Sequence, residues 1–288
     1  MKVHKLFIYL FIASAFLMIT ACGGGDSTGT GEVTMSITDA KPLLQEGAEN
    51  VEELWINITD VLVHKSGGDW ESLLQNKDPF EVDLLKLVDG VTDELVPPVE
   101  LDSGKYTQIR LVIGRAWILF KNDPDTEVPV EIPSGNLKTD KNFDFDVENG
   151  GVSDIIIDFD LSQSLVVTGP FETPSYKLKP VLHIVEASEA ATINGKIAKN
   201  SFIDEKATVT VFYNSNPQNP GGGYEEYTKI EVSDSGLDYT EFSIYWLPPN
   251  VFPNDYKVEI VVSSETFEKP DIYLGIGDTF VLNGGAPI

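Results

Sequence analysis

Cysteine is almost absent from this sequence: 288 residues carry one, Cys22. A lone thiol excludes an intramolecular disulfide and any multi-cysteine metal site. Positive charge is scarce as well. Twenty Lys and Arg stand against 46 Asp and Glu, a formal net charge of −26. Phosphate recognition needs clustered basic side chains, so the composition argues against nucleic acid as a partner. Helical periodicity is also missing, with no convincing run beyond about ten residues. Apolar residues are not scarce. At 42% they suffice to build cores, which argues against disorder of the whole chain despite its charge.

The chain opens as an address. Lys2 and Lys5 precede the 14-residue apolar run Leu6–Ile19, too short for a permanent span, which needs roughly 20 residues. A basic start followed by an apolar stretch of about 7–15 residues is the pattern of a secretory signal peptide. The segment Ile19-Thr20-Ala21-Cys22 resembles a bacterial lipobox. That resemblance implies cleavage before Cys22, a diacylglycerol thioether on its sulfur, and acylation of the new N-terminus. Residues 1–21 are then the signal peptide, and 22–31 the lipidated cysteine with a flexible glycine-rich tether reaching about 15–20 Å. Each buried CH₂ of such an anchor contributes about 0.8 kcal/mol, so two or three chains hold stably. The implied location is the cell envelope, with the membrane as partner through the anchor. Gly23 at the position after the cysteine points to the outer rather than the inner membrane, again by resemblance.

From Glu32 onwards period-2 alternation dominates. Val33, Met35 and Ile37 alternate with Thr34, Ser36 and Thr38. Leu54, Ile56 and Ile58 form a second inward set, and the phase change to Val61 and Val63 predicts a bulge near Thr59–Asp60. Ile109, Leu111 and Ile113 share one face of a strand after Gly104. Phe80–Asp89 reads as a weak short helix. The fold class is all-β: two antiparallel β-sandwich-like domains, 32–187 and 190–288.

The segments SITDA (36–40), VLVHKSGGDW (61–70), FEVDLLKL (80–87), SGKYTQIRL (103–111), IPSG (132–135), DFDLSQSLVVTG (158–169) and YKLKPVL (176–182) resemble domain of unknown function family 4382. This family of prokaryotic envelope lipoproteins has a mostly β domain and brings no catalytic or ligand residues with it. Over 190–288, Ile193-Asn194-Gly195-Lys196-Ile197 and the strand-like runs after it resemble a transthyretin-like or carboxypeptidase-regulatory-like module, an immunoglobulin-like sandwich. The stretch Pro248–Asn254 departs from its usual short turn. A faint echo links PPVELDSGKY (97–106) with PPNVFPNDYK (248–257). Tyr106 and Tyr256 in these runs read as structural corner residues.

Signs of catalysis are few. His64 and His183 sit singly in strand patterns, there is no H-E-x-x-H, and neither glycine triplet is followed by G-K-[ST]. Gly25-Asp26-Ser27 lies in the tether, and Gly151–Ile155 lacks the closing glycine of G-x-S-x-G. A non-enzymatic surface binding or structural module is the leading reading. An envelope polysaccharide hydrolase working through paired carboxylates is the alternative.

Two candidate sites stand out. Asp144 and Asp146 alternate with Phe143, Phe145 and Val147; Asp154 and Asp158 alternate with Ile155, Ile157 and Phe159. A hairpin closed by Asn149-Gly150-Gly151 would set Asp146 opposite Asp154. The four carboxylates could then offer oxygens to Ca²⁺, whereas a solvated acidic face is the plainer alternative. No other cofactor is expected. Trp55, Trp70, Trp117 and Trp246 could stack on a sugar if exposed, though buried sandwich tryptophans are the commoner case; Trp55, out of phase with Leu54, Ile56 and Ile58, is the candidate aromatic contact, its partner a glycan or another envelope protein.

Overall fold

A computed structural model of the chain describes residues 29–39, 42, 44, 47–74, 78–133, 135–138, 144–170, 172–179, 181–202, 206–214, 223–249 and 256–288. Cys22 and all of the tether before Gly29 lie outside the described residues, as does Phe143. Among the described residues no helix is long and apolar enough to cross a membrane.

The first thirteen strands share one core. They are β1 (Thr30–Thr38), β2 (Val51–Lys65), β3 (Trp70–Ser72), β4 (Phe80–Asp83), β5 (Asp93–Asp102), β6 (Gly104–Phe120) and β7 (Asp123–Glu131). Then come β8 (Asn136–Lys138), β9 (Phe145–Val147), β10 (Val152–Phe159), the one-turn helix α1 (Leu161–Ser164), β11 (Leu165–Thr168), β12 (Ser175–Leu178) and β13 (Leu182–Glu186). One sheet runs β13-β10-β1-β5. The other runs β11-β12-β7-β6-β2-β3, with β4 also on β2 and with β8 and β9 also on β6. Alternation explains the layering: β1 buries Val33, Met35 and Ile37, β2 buries Leu54, Ile56 and Ile58, and these meet Ile109, Ile155 and Phe159 in a single cluster.

Two long strands form the spine of the larger sheet. The ladder between β2 and β6 slips at Asn57/Ile58 and again at Ile58/Asp60, which is the bulge expected at Thr59–Asp60. β6 is one strand of 17 residues, and Gly114 is the residue its ladder with β2 skips, between Ile113 opposite Ile58 and Arg115 opposite Asn57. A Cβ at Gly114 would lie 2.7 Å from Asn57 Oδ1 and 2.8 Å from Thr59 Cγ2, so a larger residue at this bulge would have to displace both side chains. The short helix expected over Phe80–Asp89 is instead β4 followed by a 3₁₀ turn at Leu84–Lys86, capped by the Asp83 side chain.

The expected hairpin between β9 and β10 does not form. β9 pairs with β6, while β10 lies parallel to β1 and antiparallel to β13. Its sequence explains why. Ile155, Ile156 and Ile157 are all buried, and a strand covered on both faces belongs in the middle of a sheet.

A second core begins at Ala191. Strands β14 (Ala191–Ala198), β15 (Lys206–Asn214), β16 (Tyr224–Ser233), β17 (Tyr239–Leu247), β18 (Tyr256–Val262), β19 (Glu265–Ile272) and β20 (Thr279–Val281) form sheets β17-β14-β20 and β16-β15-β18-β19. Ile193, Ile244, Val209, Val211, Val258 and Ile260 fill the space between them. Pairing is antiparallel except for β1–β10, β12–β7 and β14–β20. Each core ties down one tyrosine at a strand start. Tyr106 donates to the Asp102 carbonyl at 3.0 Å, and Tyr256 donates to the Pro248 carbonyl at 2.8 Å.

Candidate functional site

The four aspartates proposed for calcium are not brought together as expected. Asp144 pairs with Lys105 at 2.9 Å. Asp146 is exposed on β9 with Lys105, not Asp154, as its register partner. Asp154 stands opposite Thr34 and accepts from its hydroxyl at 2.8 Å. Asp158 is buried, opposite His183 on β13. The geometric basis for a shared cation, Asp146 facing Asp154 across a hairpin, is thereby corrected. Among the described residues no group of three or more His, Cys, Asp or Glu is placed to hold a metal ion.

Trp55 is placed on the outward face of the larger sheet, half-buried. Its register partner is Trp117 on β6, and the two indoles lie nearly parallel, 5° between planes, with centroids 6.0 Å apart. The pair is held from both ends. Trp55 Nε1 donates to Glu53 Oε2 at 2.6 Å; the other oxygen of Glu53 takes Lys86 Nζ at 3.2 Å, and Lys86 lies 5.5 Å above the Trp55 ring. The indole hydrogen bond and then Lys86 hold the Glu53 carboxyl below its ordinary range. Lys86 also reaches Asp83 at 3.1 Å, whose Oδ1 accepts from Leu54 and Leu85 backbone N–H groups. At the other end the Arg115 guanidinium lies 3.8 Å over Trp117, fixed by Glu127 at 3.1 Å and Glu81 at 3.7 Å. Trp117 itself is buried, 7% exposed, so the ring this arrangement leaves open on the outward face is Trp55, and a ring fixed before binding loses little rotamer entropy when a ligand stacks on it.

Past the bulge the same face continues. Arg110 on β6 lies across from Leu62, and its guanidinium sits 4.0 Å over the Trp70 ring of β3. His64 packs against Trp70 with centroids 5.1 Å apart. Three of the four tryptophans and both arginines of the whole chain therefore share one outward face. Sequence reasoning singled out Trp55 among the four tryptophans that could stack on a sugar if exposed, but gave Arg110 and Arg115 no role. A signal was present: the only arginines stand five residues apart on one strand.

Two concavities lie where the cores meet. A cavity of about 190 Å³ is lined by Asp39, Asp158, Tyr245 and Trp246. Trp246 has φ +59°, a strained backbone for a bulky residue. A wider recess of about 700 Å³ is lined by Asp144, Asp146, Glu148, Glu186 and Glu189, with Pro248 from the second unit. Partial burial, then Glu189, Glu148 and Asp154, push the Glu186 carboxyl up from its ordinary value, against a hydrogen bond from Ser188. Between the concavities, Asp160 caps α1 by accepting from Gln163 N, and Gln163 Nε2 donates both to Asp160 Oδ2 at 2.7 Å and to the Tyr227 carbonyl at 2.9 Å.

A family model described as "Domain of unknown function (DUF4382)" matches residues 30–180. No curated protein matches the chain. Among solved structures, the chain is similar at 10% identity to the tip fimbrial protein Mfa3 from Porphyromonas gingivalis with C-terminal truncation. That match covers 84% of this chain and 81% of the other, with a TM-score of 0.19, too low to support inference from one protein to the other.

Proposed function

This chain belongs to the DUF4382 family, and from that premise we propose that it is a lipid-anchored envelope protein that binds carbohydrate without catalysis. The anchor is Cys22, exposed by cleavage after Ala21, and the glycine-rich segment before β1 spaces the folded units from the lipid surface. The strongly negative charge of the chain disfavours lying flat on anionic headgroups, and Gly23 after the cysteine favours the outer membrane. The second unit, with seven strands in two sheets, serves as a transthyretin-like companion module.

The single observation that carries the binding role is Trp55, half-buried on the outer face of a sheet, stacked with the buried Trp117 and held by Glu53 and Lys86. Pyranose C–H faces stack on such rings, and Arg and Lys beside them supply hydrogen bonds to hydroxyls. Binding of the full-length protein to an oligosaccharide array tests this. Wild type retains at least one glycan class, and Trp55→Ala weakens that binding about tenfold or more. If no glycan is retained, or if Trp55→Ala binds as well as wild type, the reading is wrong. A partner envelope protein on the same face is then the surviving occupant.

One observation favours a second reading, polysaccharide hydrolysis. Glu186, with its carboxyl pushed up, lines a recess beside further carboxylates, as a general acid does. Glycan cleavage lost in Glu186→Gln but kept in Trp55→Ala would establish it, and absence of cleavage by wild type would remove it.

A further inference from the structure

We infer that the Arg110–Trp70 end of this face is a subsite for the carboxylate of an acidic sugar, a uronic acid residue within the bound glycan. The inference rests on the carbohydrate reading of the Trp55–Trp117 tile and names the class of sugar.

The chain has 46 acidic residues against 20 basic, and most of its described cations reach a carboxylate, though Lys179, Lys199 and Lys269, like Arg110, do not. The other arginine, Arg115, has two, Glu81 and Glu127. Lys65 and Lys105 on the same sheet, and Lys86 and Lys121 beside it, each have at least one. Among the described residues Arg110 has none. Its guanidinium is instead backed by the Trp70 ring at 4.0 Å, and its Nε is buried without an acceptor. Stacking fixes the plane of the guanidinium, and the buried Nε leaves the Nη1–Nη2 edge as the open fork. That edge matches the two oxygens of a planar carboxylate, a fit that a lysine cannot offer.

The neighbours suit a sugar. Leu62 and Val112 flank Arg110 on the outward face and are half-buried, giving an apolar floor. Gln108 is two residues along β6, opposite His64. His64 Nδ1 lies 3.2 Å from Thr107 Oγ1, so Nε2 is the nitrogen left for a hydroxyl. From Trp55 to Leu62, the residue opposite Arg110, is seven residues, roughly 23 Å at about 3.3 Å per residue, the reach of an oligosaccharide rather than a monosaccharide.

Calorimetric titration of the full-length protein tests the subsite. The probes are oligogalacturonate and oligomannuronate, each as the free acid and as the methyl ester, at low salt. Wild type prefers one free acid over its ester by about 10–100-fold, as expected for charge-assisted hydrogen bonds. Arg110→Gln abolishes that preference while binding the ester within twofold of wild type, and Arg110→Lys keeps only part of it. Trp55→Ala weakens acid and ester in parallel. A melting midpoint of Arg110→Gln close to that of wild type shows that the loss is not unfolding. Equal binding of acid and ester by wild type, or an acid preference that survives Arg110→Gln, overturns the subsite while leaving the aromatic tile standing. Failure of every probe to bind removes both.

Discussion

His183 and Tyr227 belong to different units and meet ring to ring, centroids 3.9 Å apart, with His183 Nε2 2.8 Å from the carbonyl oxygen of Tyr227 itself. Asp160 Oδ2 lies 3.7 Å from the same nitrogen. Burial disfavours the imidazolium, but Asp160, then Asp158 and the Tyr227 carbonyl, outweigh it and hold the His183 pKa above 6.5. A histidine whose pKa is raised in the folded state contributes stability that is complete below the unfolded value and fades as pH climbs through the folded one. The melting midpoint is therefore expected to be higher at pH 6 than at pH 8, with the difference reduced in His183→Gln. The same pH dependence in both proteins would assign it to other groups.

The two corner tyrosines give a matched pair of tests. Tyr106→Phe and Tyr256→Phe each remove one buried hydroxyl bond to a carbonyl and should each cost about 1 kcal/mol in urea unfolding. The Tyr106 hydroxyl is pushed up to about 12 by burial, with Glu71 and Asp102 adding to it. Its contribution is complete below pH 10 and is lost as pH rises towards 12, so Tyr106→Phe should show a shallower alkaline loss of stability than wild type. Unchanged midpoints in both variants would mean that these bonds are replaced by water.

Gly195 in β14 faces the second core, where a Cβ would lie 2.3 Å from Phe242 Cζ and 3.1 Å from Leu282 Cδ1. Gly195→Ala should cost about 1–3 kcal/mol through overpacking. Phe242→Leu should recover part of that cost when combined with it, since the two side chains share one space. Additive losses in a double-mutant cycle would contradict the close approach.

Cys22 should carry the anchor. Labelled palmitate is expected to enter the wild-type protein in the producing cells, and Cys22→Ala should incorporate none and lose its membrane association. Unmodified Cys22 in released protein would show that the lipobox resemblance misleads.

Much of the fold was legible because strand alternation is local. The inward sets of β1, β2 and β6 and the bulge at Thr59–Asp60 follow from which side chains must avoid water. The β9–β10 hairpin was misread for a physical reason. A good turn exists, with Gly150 at φ +72° and Gly151 N–H bonded to the Glu148 carbonyl, but the strands leaving it go to different sheets. The uninterrupted Ile155–Ile157 run signalled a strand buried on both faces, and long-range pairing with β1 and β13 outweighed the local turn. Trp55 could be read as outward from its phase alone. Its partnership with Trp117, and the gathering of Arg110 with Trp70, depend on the β2–β6 register, which two slips make invisible in the sequence.

Indole signals report directly on which tryptophans touch a glycan. In a ¹H–¹⁵N spectrum assigned with single Trp→Phe variants, adding a glycan that the protein retains should shift the Nε1–H resonance of Trp55 most, with a smaller shift at the buried Trp117 stacked with it. Trp246, at the cavity between the units, should stay in place. Movement of Trp246 alone, or of no indole at all, would contradict recognition by the outer sheet face.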